Sequence, residues 1–223
     1  MTMRVRNLLL AAMAATVLPV VAADRIPIAN EGAIGGRWVP VPGTMFTPAY
    51  PDAYAKDPEQ VCVAVGYLLN ADGHTSDFSL LKSWSSGDSS KARMKFWQTF
   101  AGDASQALAR WQFVPAAGVA EPKPVYTVAT FVFGPGDSTA TQEHCAISDL
   151  AMRLVELRYN ERAGRLMGRG IYAKLDIDPS LETRLRLQAM ADREREERAQ
   201  AARNTKTPQS SQVELLNGTS GKK

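Results

Sequence analysis

Residues 61–69 read VCVAVGYLL, and the spacing of their apolar side chains decides the fold. Val61, Val63, Val65, Tyr67 and Leu69 recur at period two, the repeat of a strand that turns one face to a core. The next four residues, NADG (70–73), are turn formers of the kind that join antiparallel strands. HTSDFSLLKSW (74–84) then predicts a second, weaker strand, ended by SSGDSS (85–90). From Ser90 to Phe113 the repeat becomes helical, with Met94, Trp97 and Phe100 or Ala101 on one stripe. Gly102 interrupts it, and Asp103 is placed to cap a second helix carrying Ala107, Leu108 and Trp111. In QALARWQFVPA (106–116) that helix gives way to two aromatics and stops at Pro115. PVYTVATFVF (124–133), closed by Gly134-Pro135-Gly136, is the strongest strand signal in the chain. The order is strand, strand, helix, strand (β-β-α-β) over residues 61–134.

The flanks differ in kind. Arg4 and Arg6 precede an apolar run from Leu8 to Val21 and then Ala22-Ala23, the pattern of a cleaved export signal over residues 1–23. The run falls short of the roughly 20 apolar residues that span a bilayer. Removing it leaves 24 basic against 23 acidic side chains, a balance that gives no electrostatic footprint for nucleic acid. Residues 24–60 are rich in Pro and Gly, and Pro40, Pro42, Pro48, Pro51 and Pro58 impose an extended lead-in. Residues 140–203 predict a helical extension. Ile147, Leu150, Leu154 and Leu157 form one amphipathic stripe, and Asp178-Pro179 is a strong helix start. In that last helix Leu181, Leu185 and Met190 give way to DREREERAQ (192–200), a solvated run of balanced charge. The composition of residues 204–223 is that of a disordered tail.

Only two cysteines occur, Cys62 and Cys145, and in an exported chain they are most simply a disulfide. Metal binding lacks a ligand set, because His74 and His144 are the only histidines. An enzyme is equally unsupported: Ser85-Ser86-Gly87 is not a nucleophile elbow, and Gly164, Gly168 and Gly170 follow no strand. Asp176 and Asp178 lack the glycine and distal glutamate of a calcium loop. No catalytic residue, metal site or cofactor is therefore expected. Lys91, Arg93 and Lys95 lie beside Phe96 and Trp97, but helical spacing separates the charges from the apolar side chains. Residues 88–101 are thus expected to be a packed helix rather than a binding patch.

Over residues 45–134 the sequence resembles the C-terminal domain of the periplasmic energy transducer TonB. Four features stand in order: Pro48-x-Tyr50-Pro51, alternating valines leading to Ala71-Asp72-Gly73 and then Ser85-Ser86-Gly87, Trp111-x-Phe113-x-Pro115-Ala116, and Phe131-x-Phe133. Val61 stands where the family usually has a glycine, and residues 88–102 are an insertion. The resemblance implies a three-stranded antiparallel sheet with the helix on one face, and Trp111 and Phe113 as packing anchors at the helix exit. In that sheet Cys62 opens the first strand and Cys145 follows the last, so the bridge would tie the C-terminal helices to the sheet.

For function, the resemblance implies an exported, periplasmic (Gram-negative) binding module. Such a module pairs its last strand with an envelope protein, an outer-membrane receptor among the candidates. Carried onto this chain, that edge is Val125, Tyr126, Thr127, Val128, Ala129, Thr130, Phe131 and Val132. The C-terminal helix and the lead-in from Trp38 to Phe46 are the elements expected to compete for it. The alternative is a membrane-anchored energy transducer for TonB-dependent outer-membrane transport, with membrane contact only if residues 1–23 are retained.

Overall fold

Nine consecutive buried residues, Val61–Leu69, form the central strand of the computed structural model, which describes residues 25–87, 94–159 and 169–205. Two short strands, β1 (Trp38–Pro40) and β4 (Phe113–Pro115), pair with each other as a separate antiparallel ribbon. The main sheet holds β2 (Val61–Leu69), β3 (Thr75–Ser85) and β5 (Val125–Phe133), all antiparallel, in the order β3-β2-β5. Helix α1 (Met94–Leu108) precedes β4. After β5 come α2 (Ser138–Cys145), α3 (Leu150–Tyr159), α4 (Arg169–Tyr172) and α5 (Pro179–Thr205). The chain is α+β, as its element order predicts. The export signal, residues 88–93 with Lys91 and Arg93, and residues 206–223 of the tail lie outside the described residues.

β2 is buried at every position because both faces of the sheet are covered. The first core places Val61, Val63, Val65, Tyr67 and Leu69 against Phe96, Phe100, Ala104 and Leu108 of α1, as the period-two reading predicts. The second core takes Cys62, Ala64 and Leu68 from the other face. It packs them with Leu150, Leu154, Leu157, Ile171, Leu175 and Leu181 of the C-terminal helices and the segments between them. A half-buried strand would alternate apolar with polar, but VCVAVGYLL contains no charged side chain and Tyr67 is its only hydroxyl-bearing one, the mark of a strand covered twice. Gly66 is part of the same arrangement: a Cβ there would run into the Tyr126 hydroxyl and Leu81. In the NADG turn Gly73 has φ +84°, and a Cβ would meet the Phe113 carbonyl.

Three helix expectations are corrected. The interruption at Gly102 does not occur, and α1 runs unbroken from Met94 to Leu108, so Asp103 caps nothing. Gly102 costs about 1 kcal/mol of helix propensity, which the buried face outweighs. The core stripe is also displaced, to Phe96, Phe100, Ala104, Ala107 and Leu108, leaving Met94 exposed and Trp97 half-buried. The lead-in causes the displacement, since Tyr50 meets Phe100 at 5.3 Å and Tyr54 meets Phe96 at 4.8 Å. The stripe from Ile147 to Leu157 belongs to no single helix. α2 ends at Cys145, and α3 restarts at Leu150 after Ala146–Asp149, with the Asp149 carboxylate accepting from the Met152 N–H. Asp178 does accept from the Ser180 N–H at the start of α5, as predicted.

β3 is irregular, with register shifts opposite Ala64/Val65 and Gly66/Leu68, and Asp77 has φ +52°. At the first shift the Leu81 carbonyl accepts from Arg153 Nε (3.0 Å) and Nη2 (2.8 Å) of α3. Such a fork satisfies an edge carbonyl that would otherwise need water or another strand. Replacing Arg153 by Met keeps most of the packing but orphans that carbonyl. We expect a stability loss of about 1–3 kcal/mol in urea unfolding.

Candidate functional site at the outer edge of β5

β5 is an edge strand because β2 pairs with it on one side only. Its outward groups follow from Tyr126. The Tyr126 N–H donates to the Pro27 carbonyl, and its own carbonyl accepts from the Ala29 N–H, both at 2.9 Å. Antiparallel strands alternate the sides to which their backbone groups point. Tyr126, Val128, Thr130 and Val132 therefore present N–H and C=O outward, whereas Val125, Thr127, Ala129 and Phe131 turn theirs to β2.

Residues 25–31 lie along the first half of this edge as a strap. Ile28 bridges Tyr126 and Ile26 bridges Leu175, both in parallel sense. On its far side the strap exchanges backbone hydrogen bonds with the C-terminal part of the chain, Ile26 N–H to Lys174 O and Asp176 N–H to Ile26 O, each 2.8 Å. Asn30 fastens the strap to α3: its Oδ1 accepts from the Leu150 N–H at 2.9 Å and its Nδ2 donates to Ser148 O at 3.0 Å. Beyond Ala29 the strap leaves the strand for a turn. There Glu31 reaches back, its Oε1 accepting from the Thr130 N–H (2.6 Å) and its Oε2 from the Thr130 hydroxyl (2.9 Å). Among the described residues, no hydrogen bond is made by the outward N–H of Val128 or Val132.

The strap lies N-terminal to the segment from Trp38 to Phe46 that the sequence nominated as a competitor. Trp38 instead pairs opposite Pro115, in the β1–β4 ribbon. Nothing in the sequence marks Ile28, Asn30 or Glu31 for this place, since they sit in IANEGAIGG (28–36), a stretch without periodicity. Of the proposed edge residues, Thr130 and Val132 are half-buried and the other six, Val125 to Ala129 and Phe131, are buried.

Two phenols lie under the edge. Burial pushes Tyr126 up to about 12, and the nearby Asp77 charge adds to the rise. Burial, with Glu31 adding, holds Tyr67 above the ordinary phenol range. Each is raised above its unfolded value of 10.0, so the stability they protect is complete below pH 10 and is lost as pH rises through the folded values. Titration at 295 nm should find these two of the six tyrosines ionising only with unfolding. Above pH 10, stability should fall by about 3 kcal/mol from Tyr126 alone.

The remaining sequence candidates take structural places. Cys62 and Cys145 are joined, Cα–Cα 6.0 Å apart, linking the start of β2 to the end of α2. His144 stacks on Trp84 at 3.9 Å, 7° from parallel. Trp111 packs among Tyr67, Phe113 and Phe131 and donates Nε1–H to the Phe46 carbonyl at 2.9 Å. Among the described residues, no group of three or more His, Cys, Asp or Glu side chains could hold a metal ion. Also among them, no helix is long and apolar enough to cross a membrane.

Among solved structures the chain is similar to the solution NMR structure of the Pseudomonas aeruginosa TonB CTD. The identity is 19% and the TM-score 0.37, over 49% of this chain and 95% of that one. No family model and no curated protein matches the chain.

Proposed function

We propose that the chain is a non-enzymatic, protein-binding module of the cell envelope that adds an extended segment of a partner to the outer edge of β5. The observation that carries this reading is the second half of the edge, Val128 to Val132. The backbone of the strap has already left it, with only the Glu31 carboxylate reaching back to Thr130, and the Val128 and Val132 N–H groups point outward without a hydrogen-bond partner among the described residues. An exposed edge recruits a strand through main-chain hydrogen bonds. The other edge is a poor candidate, being broken by two register shifts and forked by Arg153. The ordered motifs of residues 45–134 support the same reading, and the buried Cys62–Cys145 bridge supports an oxidising compartment, the periplasm of a Gram-negative cell.

Thr130 and Thr127 separate binding from folding. Thr130→Pro removes an outward N–H and is tolerable on an edge. Thr127→Pro removes a bond to β2 and should unfold the sheet. In a pull-down from a periplasmic fraction, wild type and Thr130→Ala should capture the same partner and Thr130→Pro should lose it while remaining folded. Undiminished capture by a folded Thr130→Pro protein would sink the proposal.

A further inference from the structure

We infer that Glu31 is a guard on the β5 edge, and that its displaced carboxylate selects incoming segments carrying a Lys or Arg opposite Thr130. The inference rests on the edge-binding reading and names the chemistry of the segment that the edge accepts. Glu31 is exposed, yet both of its oxygens are spent on one residue of the edge, the backbone N–H and the hydroxyl of Thr130. The carboxylate thus stands where the carbonyl of an added strand would stand. It lies between the end of the strap at Ala29 and the open groups of Val132, so a strand cannot extend past Val128 without moving it.

The release of Glu31 has a chemical consequence. No Lys or Arg among the described residues pairs with it, and it has no other polar partner there. Once it leaves Thr130, its charge lies beside the arriving strand. Cross-strand neighbours of opposite sign attract and like charges repel. A cation in the segment compensates the lost charge-assisted bonds, whereas an acid meets an uncompensated carboxylate. A neutral segment gains neither effect.

Two variants separate the guard from the selection. In the ¹⁵N-labelled, oxidised full chain without any partner, Glu31→Ala should speed amide exchange at Thr130 by about tenfold or more while Tyr126 stays protected. The selection is read by titrating two end-capped peptides, SVTKTVS and SVTETVS, against the same protein. The Lys peptide should bind about fivefold tighter, shifting the amides of Val128, Thr130 and Val132. Glu31→Gln, which keeps an acceptor but no charge, should bring the two peptides to equal affinity.

Unchanged Thr130 exchange in Glu31→Ala, a peptide preference that survives Glu31→Gln, or failure of both peptides to bind would each overturn the inference. If these arms fail while Thr130→Pro still abolishes partner capture, edge binding stands and the role of Glu31 falls alone. If the capture is indifferent to Thr130→Pro, the edge reading itself falls.

Discussion

Breaking the Cys62–Cys145 bridge should lower stability by about 4.5 kcal/mol, the chain-entropy value for a closed loop of this length. The two cysteines are 83 residues apart in sequence, so the bridge closes a long loop of the unfolded chain, from the start of β2 past the end of β5. In the folded state both sulfurs belong to the second core, and Cys145 closes α2 against the sheet. Cys62 lies opposite Trp84 in the β2–β3 register, and Trp84 stacks on His144 next to the second cysteine. Reduction should therefore loosen the C-terminal helices first and unstack Trp84, while α1 keeps its own core. Urea unfolding of oxidised protein and of the Cys62→Ala, Cys145→Ala double variant, followed by tryptophan fluorescence, measures the difference. A loss below about 1 kcal/mol would mean that the second layer holds without the bridge.

Phe100→Ala should cost about 3–5 kcal/mol, the range for removing a fully buried aromatic side chain. Phe100 has no exposed surface, and its ring meets Tyr50, Tyr54, Phe96 and Phe133 at centroid distances of 5.3, 5.8, 4.6 and 4.9 Å. It joins the lead-in, α1 and β5, so the cavity cannot close by shifting one element. Met94→Ala is the matched control from the stripe that the sequence suggested. Met94 is 56% exposed, and its loss should stay within about 0.5 kcal/mol. Equal costs at the two positions would contradict the observed phase of α1.

The contrast between these residues shows what the sequence could and could not tell. The strand order and the bridge were legible because each rests on local pattern or on the absence of any other cysteine. The phase of α1 was not, because Met94, Phe96, Trp97 and Phe100 are all apolar and several stripes can be drawn through them. Tyr50 and Tyr54 choose among those stripes from a distant part of the chain. The second covered face of β2 was written in VCVAVGYLL, but the period-two repeat of its larger residues concealed the burial of Cys62, Ala64 and Leu68. β5 was legible as a strand, since its β-branched and aromatic run has no competing reading. Its occupancy by the strap was not, because backbone pairing of Pro27 and Ala29 leaves no side-chain signature and Glu31 looks like any surface acid. Position, not residue type, gives Glu31 its place.

The most direct test of the account is amide hydrogen exchange along β5 in the free protein and in complex with the partner whose capture depends on Thr130. In the free protein, Tyr126 should be protected by the strap and Thr127 by β2, Val128 and Val132 should exchange fast, and Thr130 should lie between because Glu31 holds it. On complex formation Val128, Thr130 and Val132 should become protected together, with the inward positions unchanged. Val128 and Val132 already protected in the free protein, or still fast in the complex, would contradict the claim that this edge receives the partner.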